Sequence, residues 1–165
     1  MLHDMLQALN DTGLATAIRE NGLLFPWLEV AHVMSISLVL GSIAIVDLRL
    51  VGIASTSYPV SRLTRALLPL TWTGFACAVL TGGLLFSSQP LNYFANIAFR
   101  MKMVMLVAAG LNMAVFHLFT QRGGGAWDAE APTPAAAKAA GILSILIWIM
   151  IAAFGRWIGF TLNPF

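Results

Sequence analysis

Four long apolar segments, separated by short stretches of polar, glycine and proline residues, run along the chain of 165 residues. A helix needs about 20 predominantly apolar residues to cross the hydrocarbon core of a bilayer, and each segment is long enough. We therefore predict an all-α integral membrane protein that folds as a four-helix transmembrane bundle. The predicted spans are 23–46, 66–86, 97–120 and 136–162.

Residues 1–22 contain no apolar segment of spanning length and precede the transmembrane domain, residues 23–165. One face of a first short helix would gather Leu2, Met5, Leu6 and Leu9. Asp11 is placed to cap a second short helix. We predict interfacial helices that lie on the membrane surface; the alternative is an ordered tail without membrane contact.

Composition supports a membrane protein and narrows its chemistry. Charged residues make up 10% of the sequence, against about a quarter in soluble domains. The net charge of +2 is too small and too scattered to indicate nucleic-acid binding. Cys77 is the only cysteine in the sequence, which excludes an intrachain disulfide, a thiolate cluster and covalent haem attachment.

The basic residues in the loops and at the ends of the predicted spans are distributed unevenly between the two sides of the membrane. Two sit on the side of the termini, Arg19 and Arg100, and five on the other: Arg49, Arg62, Arg65, Arg122 and Lys138. Cytoplasmic loops carry the excess of Lys and Arg. We therefore expect a multi-pass protein of the bacterial inner membrane with both termini in the periplasm.

Five ionisable side chains and one amide lie well inside the predicted spans, where each ionisable group is a candidate functional residue: Glu29, His32, Lys102, Asn112, His117 and Arg156. With a rise of about 1.5 Å per residue, Glu29 and Arg156 lie about 9 Å from the periplasmic ends of their spans, Lys102 about 7 Å and His32 about 13 Å. These four should converge in the outer leaflet. His117 falls about 30 Å in, near the opposite face.

A histidine in an apolar four-helix bundle is a typical axial ligand of haem iron. We expect His32 to bind the iron of a haem b, with Lys102, Arg156 and Glu29 around its propionates and Asn112 as a further cofactor-binding residue. Because His32 and His117 differ in depth by about 17 Å, they cannot share one haem within a chain. His117 is therefore expected to mark a second metal site.

Other interpretations remain open. The charged residues could form an ion-paired helix-packing node in a non-catalytic membrane subunit, with Glu29 paired to Arg156 or Lys102. Copper is the competing metal, because thioether and imidazole ligands suit Cu(I). The methionines on the histidine-bearing spans are Met34, Met101, Met103, Met105 and Met113.

An ordered set of short motifs resembles an uncharacterised bacterial family of small four-helix membrane proteins. The motifs are Trp27-Leu-Glu-Val-Ala-His32, Gly41, Asp47-Leu-Arg-Leu50, Thr73-Gly74-Phe75, Thr81-Gly82, Phe99-Arg-Met-Lys102, Asn112 and Gly155-Arg156-Trp157. The histidine on the first span and the lysine on the third are also distantly similar to the CopD copper-resistance domain and to HemJ-type haem-dependent oxidases. The HemJ resemblance implies His32 and Lys102 as haem ligands.

Together these patterns predict a cytochrome b-like protein with one or two haems b per chain, relaying electrons within or across the membrane. An electron-transfer role is expected in preference to that of a stand-alone enzyme. The expected partners are membrane lipid, a redox protein and a second copy of the chain, because one bundle of this size only partly encloses a porphyrin.

Overall fold

The computed structural model describes residues 1–120 and 133–162, and within these ranges the chain is helical with no strand. The predicted all-α class is thereby confirmed. Four helices are long and apolar enough to cross a membrane, α3, α4, α6 and α7. Their bounds are Leu24–Val51, Val60–Ser88, Ile97–Val115 and Ala135–Leu162. The chain is a multi-pass membrane protein.

Three short helices lie together at one end of the bundle, which we call the collar end. They are α1 (Leu2–Asn10), α2 (Gly13–Glu20) and α5 (Pro90–Ala95). The opposite end, where α3 ends and α4 and α7 begin, is the loop end. Because α1 packs on α5 while α2 packs on α4 and α3, the collar helices sit over the ends of the long helices.

The cap of α2 differs from the predicted one. The Thr12 hydroxyl, and not the Asp11 carboxylate, accepts a hydrogen bond from the backbone N–H of Ala15 at 3.2 Å. Asp11 instead accepts hydrogen bonds from the side-chain amides of Gln7 and Asn10. The prediction missed the cap by one residue because Thr and Asp are both good caps and stand side by side.

Two of the long helices, α3 and α4, extend beyond their predicted spans at the loop end. α3 continues to Val51 and stops at Gly52, whose φ of +90° suits glycine and whose N–H reaches the carbonyls of Leu48 and Arg49. α4 begins after Pro59, six residues before the predicted span. The apolar pattern of a sequence indicates which residues cross the hydrocarbon core. A helix can continue beyond that core into the membrane interface where its polar side chains find hydrogen-bond partners.

The order of packing leaves one side of the bundle loosely closed. α3 packs against both α4 and α7, and α6 packs against α7. α4 and α6 meet near the collar end, where the rings of Phe86 and Phe99 stack with centroids 5.4 Å apart. The start of α6 is fixed by Asn96, which caps Phe99 and donates to Thr161 of α7 at 2.7 Å.

Candidate functional site

All four long helices contribute a residue to one position in the half of the bundle nearer the collar. His32 comes from α3, the Thr81-Gly82 pair from α4, Lys102 from α6 and Gly155 from α7. We call this set the His32–Lys102 site. The depth estimate from the sequence placed His32 and Lys102 in the same half, and the structure brings their side chains together.

His32 and Lys102 face each other through nitrogen atoms. Nε2 of His32 lies 3.5 Å from Nζ of Lys102, and both side chains are half-buried. This distance is at the outer limit of a hydrogen bond, so the two nitrogens approach each other closely without a strong hydrogen bond between them. Among residues 1–120 and 133–162, neither side chain forms an ion pair with a carboxylate.

The tautomer of His32 follows from its neighbour on α4. The Thr81 hydroxyl donates to the carbonyl of Cys77 at 2.7 Å, so its only hydrogen is used. The Thr81 oxygen, 3.0 Å from Nδ1 of His32, must therefore accept a hydrogen from Nδ1. In a neutral imidazole, Nε2 then carries a free lone pair and points it at Lys102.

Gly82 makes room for the imidazole. A Cβ at this position would lie 2.8 Å from Cε1 of His32, closer than van der Waals contact permits. At the neighbouring Gly83, a Cβ would meet nothing within 4 Å. On the other side of the site, a Cβ at Gly155 would lie 3.7 Å from Nζ of Lys102. The imidazole therefore rests directly on the backbone of α4.

An aromatic cluster lies about one helical turn from the site, toward the collar end. Tyr93 lies 5.6 Å from Phe99 and 6.1 Å from Phe86, measured between ring centroids. Burial raises the pKa of the Tyr93 hydroxyl to about 12, and the negative charge of Glu29 adds to this shift. Glu29, which lies one helical turn before His32 on α3, therefore influences the ionisation of the Tyr93 hydroxyl.

The two remaining charged residues predicted for this half of the bundle stay at its surface. Glu29 and Arg156 are exposed, and the guanidinium of Arg156 lies 4.7 Å from the ring centroid of Phe160. Within the described part of the chain, Glu29 forms no ion pair with Arg156 or Lys102. The ion-paired packing node considered from the sequence is not found there.

Asn112 and His117 lie away from the His32–Lys102 site. The Asn112 amide donates to the carbonyl of Ala140 at 3.0 Å and so joins α6 to α7. His117 is exposed in the π-helical turn Phe116–Thr120, with Nδ1 2.9 Å from the carbonyl of Met113. It is 15 residues from Lys102, about 22 Å along the helix, so any site at His117 is a separate one.

The described residues offer less support for a site that binds a metal ion alone than for a cofactor site at His32 and Lys102. In the two described ranges, no three His, Cys, Asp or Glu side chains lie close enough to hold one ion. Of the methionines considered for copper, Met105 is half-buried and the others are exposed at the bundle surface: Met34, Met101, Met103 and Met113.

The residues around His32 on α4 and α7 were not predicted as site residues from the sequence. Thr81, Gly82 and Gly155 belong only to the motifs that carry the family resemblance. A signal was available: Thr81 lies five residues from the predicted span end at Phe86, about 7.5 Å deep and level with Lys102.

The chain belongs to a family described as a family of unknown function (DUF6644), whose model matches residues 19–161. This range includes all the residues of the His32–Lys102 site and leaves out most of the two N-terminal collar helices. No curated protein and no solved structure matches the chain.

Proposed function

We propose that this protein is a b-type haem-binding membrane protein that relays electrons, with His32 and Lys102 as the iron ligands. The observation that carries the proposal is the 3.5 Å approach of Nε2 of His32 and Nζ of Lys102 from different helices. Two nitrogen ligands on facing helices of an apolar bundle form a ligand set for haem iron. The similarity to HemJ-type proteins points to the same two residues.

The residues around the nitrogen pair fit such a cofactor. Metal binding requires each ligand nitrogen to be free of a proton on its lone pair. Thr81 meets this need for His32 by holding the hydrogen on Nδ1. Such an outer hydrogen bond also fixes the orientation of the ring. Lys102, which has no carboxylate partner in the described residues, is not held in an ion pair.

Because α4 and α6 pack loosely, the side between them is the side of the bundle on which the chain could hold a macrocycle. Gly82 and Gly155 keep the surroundings of the two nitrogens small. The aromatic cluster of Phe86, Tyr93 and Phe99 limits access of water from the collar end. Arg156, exposed toward that end and unpaired with any described carboxylate, supplies a positive charge for a propionate.

When bound, haem iron supplies one-electron oxidation and reduction. The chain's own residues hold the iron ligands, exclude water and set the local charge. We place the collar end in the periplasm, from the distribution of basic residues, in a bacterial inner membrane. The electrons would pass to a redox partner protein on that side, and a second copy of the chain would cover the open side of the bundle.

The direct test is the visible spectrum of the protein purified in detergent from cells supplied with haem. We expect a Soret band, sharp α and β bands after dithionite reduction, and about one haem per chain in a pyridine haemochrome assay. His32→Ala and Lys102→Leu should lose the Soret band. The matched controls His117→Ala and Lys138→Leu should keep it, provided that all four variants elute as the wild type does.

Other results would redirect the proposal. A colourless wild-type protein would overturn it, and copper in a metal analysis would then favour a CopD-like role. Loss of the band in His32→Ala but not in Lys102→Leu would leave His32 as a ligand and remove Lys102. A ratio near two haems, falling to one in His117→Ala, would place the second site at His117.

A further inference from the structure

A cavity at the collar end, apart from the His32–Lys102 site, has the chemistry of an anion-binding pocket. Its volume is about 380 Å³, within the range of small-molecule pockets. It lies between the end of α1, the end of α2 and the junction of α4 with α5. Five residues line it: Asn10, Arg19, Gln89, Leu91 and Asn92.

Arg19 is held in place by neutral acceptors. Its Nη1 donates to the carbonyl of Ser88 at 2.9 Å and to Oδ1 of Asn10 at 3.2 Å, and its Nη2 reaches the Thr16 hydroxyl at 3.4 Å. No described carboxylate forms an ion pair with it. The nearby carboxylate, that of Asp11, accepts from Asn10 and Gln7 instead. The guanidinium is therefore held beside the cavity by neutral acceptors, without a direct ion pair to a described carboxylate.

The rest of the lining adds hydrogen-bond donors and one apolar wall. Asn92 donates to the side-chain oxygen of Gln89 at 2.9 Å. This bond leaves the Gln89 amide hydrogens available to a ligand. A guanidinium with neighbouring amide donors suits the oxygens of a phosphate group. Leu91 suits an apolar attachment to that phosphate.

We propose that this cavity binds a phosphate group, carried by the headgroup of a phospholipid or by a soluble phosphate. The chemistry of the lining residues suits both sources of phosphate. The position of the cavity is suitable for a phospholipid, because the collar end of a membrane-spanning bundle lies at the depth of lipid headgroups. Bound phosphate would bridge α2 and the α4–α5 junction through Arg19 and Gln89 and so fasten the collar. The inference is independent of haem.

The test measures thermal unfolding in a phosphate-free maltoside detergent and buffer, during titration with one of three probes. The probes are a short-chain phosphatidylglycerol, inorganic phosphate and a phosphate-free glycolipid with the same acyl chains. We expect phosphatidylglycerol to raise the unfolding temperature of the wild type. In Arg19→Gln the concentration for half of the effect should rise at least about tenfold, because hydrogen bonds to charged groups are strong. The matched control Arg100→Gln, an exposed arginine at the same end, should respond as the wild type does.

The probes distinguish the sources. An effect of phosphatidylglycerol alone identifies a lipid headgroup, and an equal effect of inorganic phosphate identifies a soluble anion. Because Arg19 also ties α2 to Ser88, Gln89→Leu is the second variant and should weaken the response without removing that tie. An equal response to the glycolipid, or an unchanged response in both variants, would overturn the proposal.

Discussion

At the loop end of the bundle, polar side chains between helices are tied to backbone carbonyls. Arg49 donates to the carbonyl of Tyr58 at 2.7 Å, and Asn112 donates to that of Ala140 at 3.0 Å. In the half nearer the collar, His32 and Lys102 instead direct side-chain nitrogens at each other, 3.5 Å apart. Both halves contain costly polar groups in a membrane setting, yet they use them differently.

This difference in hydrogen bonding distinguishes residues that join helices from residues that can bind a ligand. A donor bonded to a carbonyl is satisfied, and it joins two segments of the chain. An imidazole nitrogen with a free lone pair, facing an amine, is satisfied only in part and can take a ligand. Asp47 is the exception at the loop end: it is buried, and its Oδ2 has no hydrogen-bond partner among the described residues.

The largest expected effect comes from filling the space against which His32 rests. In Gly82→Leu the new side chain occupies the position of the imidazole, because even a Cβ there lies 2.8 Å from Cε1 of His32. We expect haem to be lost, as in His32→Ala, because the imidazole can no longer occupy its position, and a pyridine haemochrome assay measures this loss.

Gly83→Leu is the matched control, because a Cβ at Gly83 meets nothing within 4 Å. It should retain haem. Equal loss in the two variants would mean that free space along α4, and not contact with His32, is what the glycine provides.

The second prediction concerns the loop end, where Arg49→Ala should weaken the fold and leave the spectrum intact. The Arg49 side chain is buried and bonds the carbonyl of Tyr58 and the hydroxyl of Thr133. Losing these charge-assisted hydrogen bonds should lower the free energy of unfolding by about 3 kcal/mol. Denaturant unfolding in detergent measures this change, with Arg65→Ala, an exposed arginine on α4, as the control, expected within about 0.5 kcal/mol of wild type. A loss of haem on Arg49→Ala without loss of stability would contradict the division between the two ends.

The sequence was sufficient for the fold because four apolar segments of spanning length leave few alternatives. Helix ends were harder to predict. The predicted first span ends at residue 46, just before Asp47 and Arg49, yet both residues are buried inside α3, which continues to Val51. Polar residues end a helix only when nothing in the tertiary structure satisfies them, and the partners of Arg49 lie 9 and 84 residues away along the chain.

The candidate site was predictable in depth but not in direction. The rise per residue placed Glu29, His32, Lys102 and Arg156 at similar depths, and only His32 and Lys102 meet. The direction in which His32 and Lys102 face depends on the packing of their helices with α4 and α7. Hydrophobic periodicity could not predict this direction, because apolar residues lie on all sides of α3 and α6. For the same reason, the spacing of residues along the sequence could not predict the contact between His32 and Thr81.

The third prediction tests Thr81 as a positioning residue for His32. Thr81→Val removes the acceptor of the Nδ1 hydrogen, so the ring loses its fixed tautomer and orientation. Outer hydrogen-bond partners of metal-binding histidines are typically worth about tenfold to a hundredfold in affinity. We expect a loss in that range, with a shifted midpoint potential in redox titration of the haem that remains.

Thr81→Ser should restore both values, because serine keeps the hydroxyl. Thr73→Val is the matched control, since the Thr73 hydroxyl bonds the carbonyl of Pro69 in its own helix. If Thr81→Val lowers stability but leaves the potential of the bound haem unchanged, Thr81 is a packing residue only.

The smallest expected effect is that of Asn112→Ala, which tests whether Asn112 belongs to the packing or to the cofactor. Its amide joins α6 to the carbonyl of Ala140 on α7. Single hydrogen bonds between membrane helices contribute about 0.6 kcal/mol on average, so the unfolding free energy should fall by about that amount, against no change in the exposed Leu111→Ala. The Soret band and the midpoint potential should be unchanged. A shifted potential would instead place Asn112 within reach of the haem, and with it extend the ligand-binding half of the bundle well past Lys102 toward the loop end.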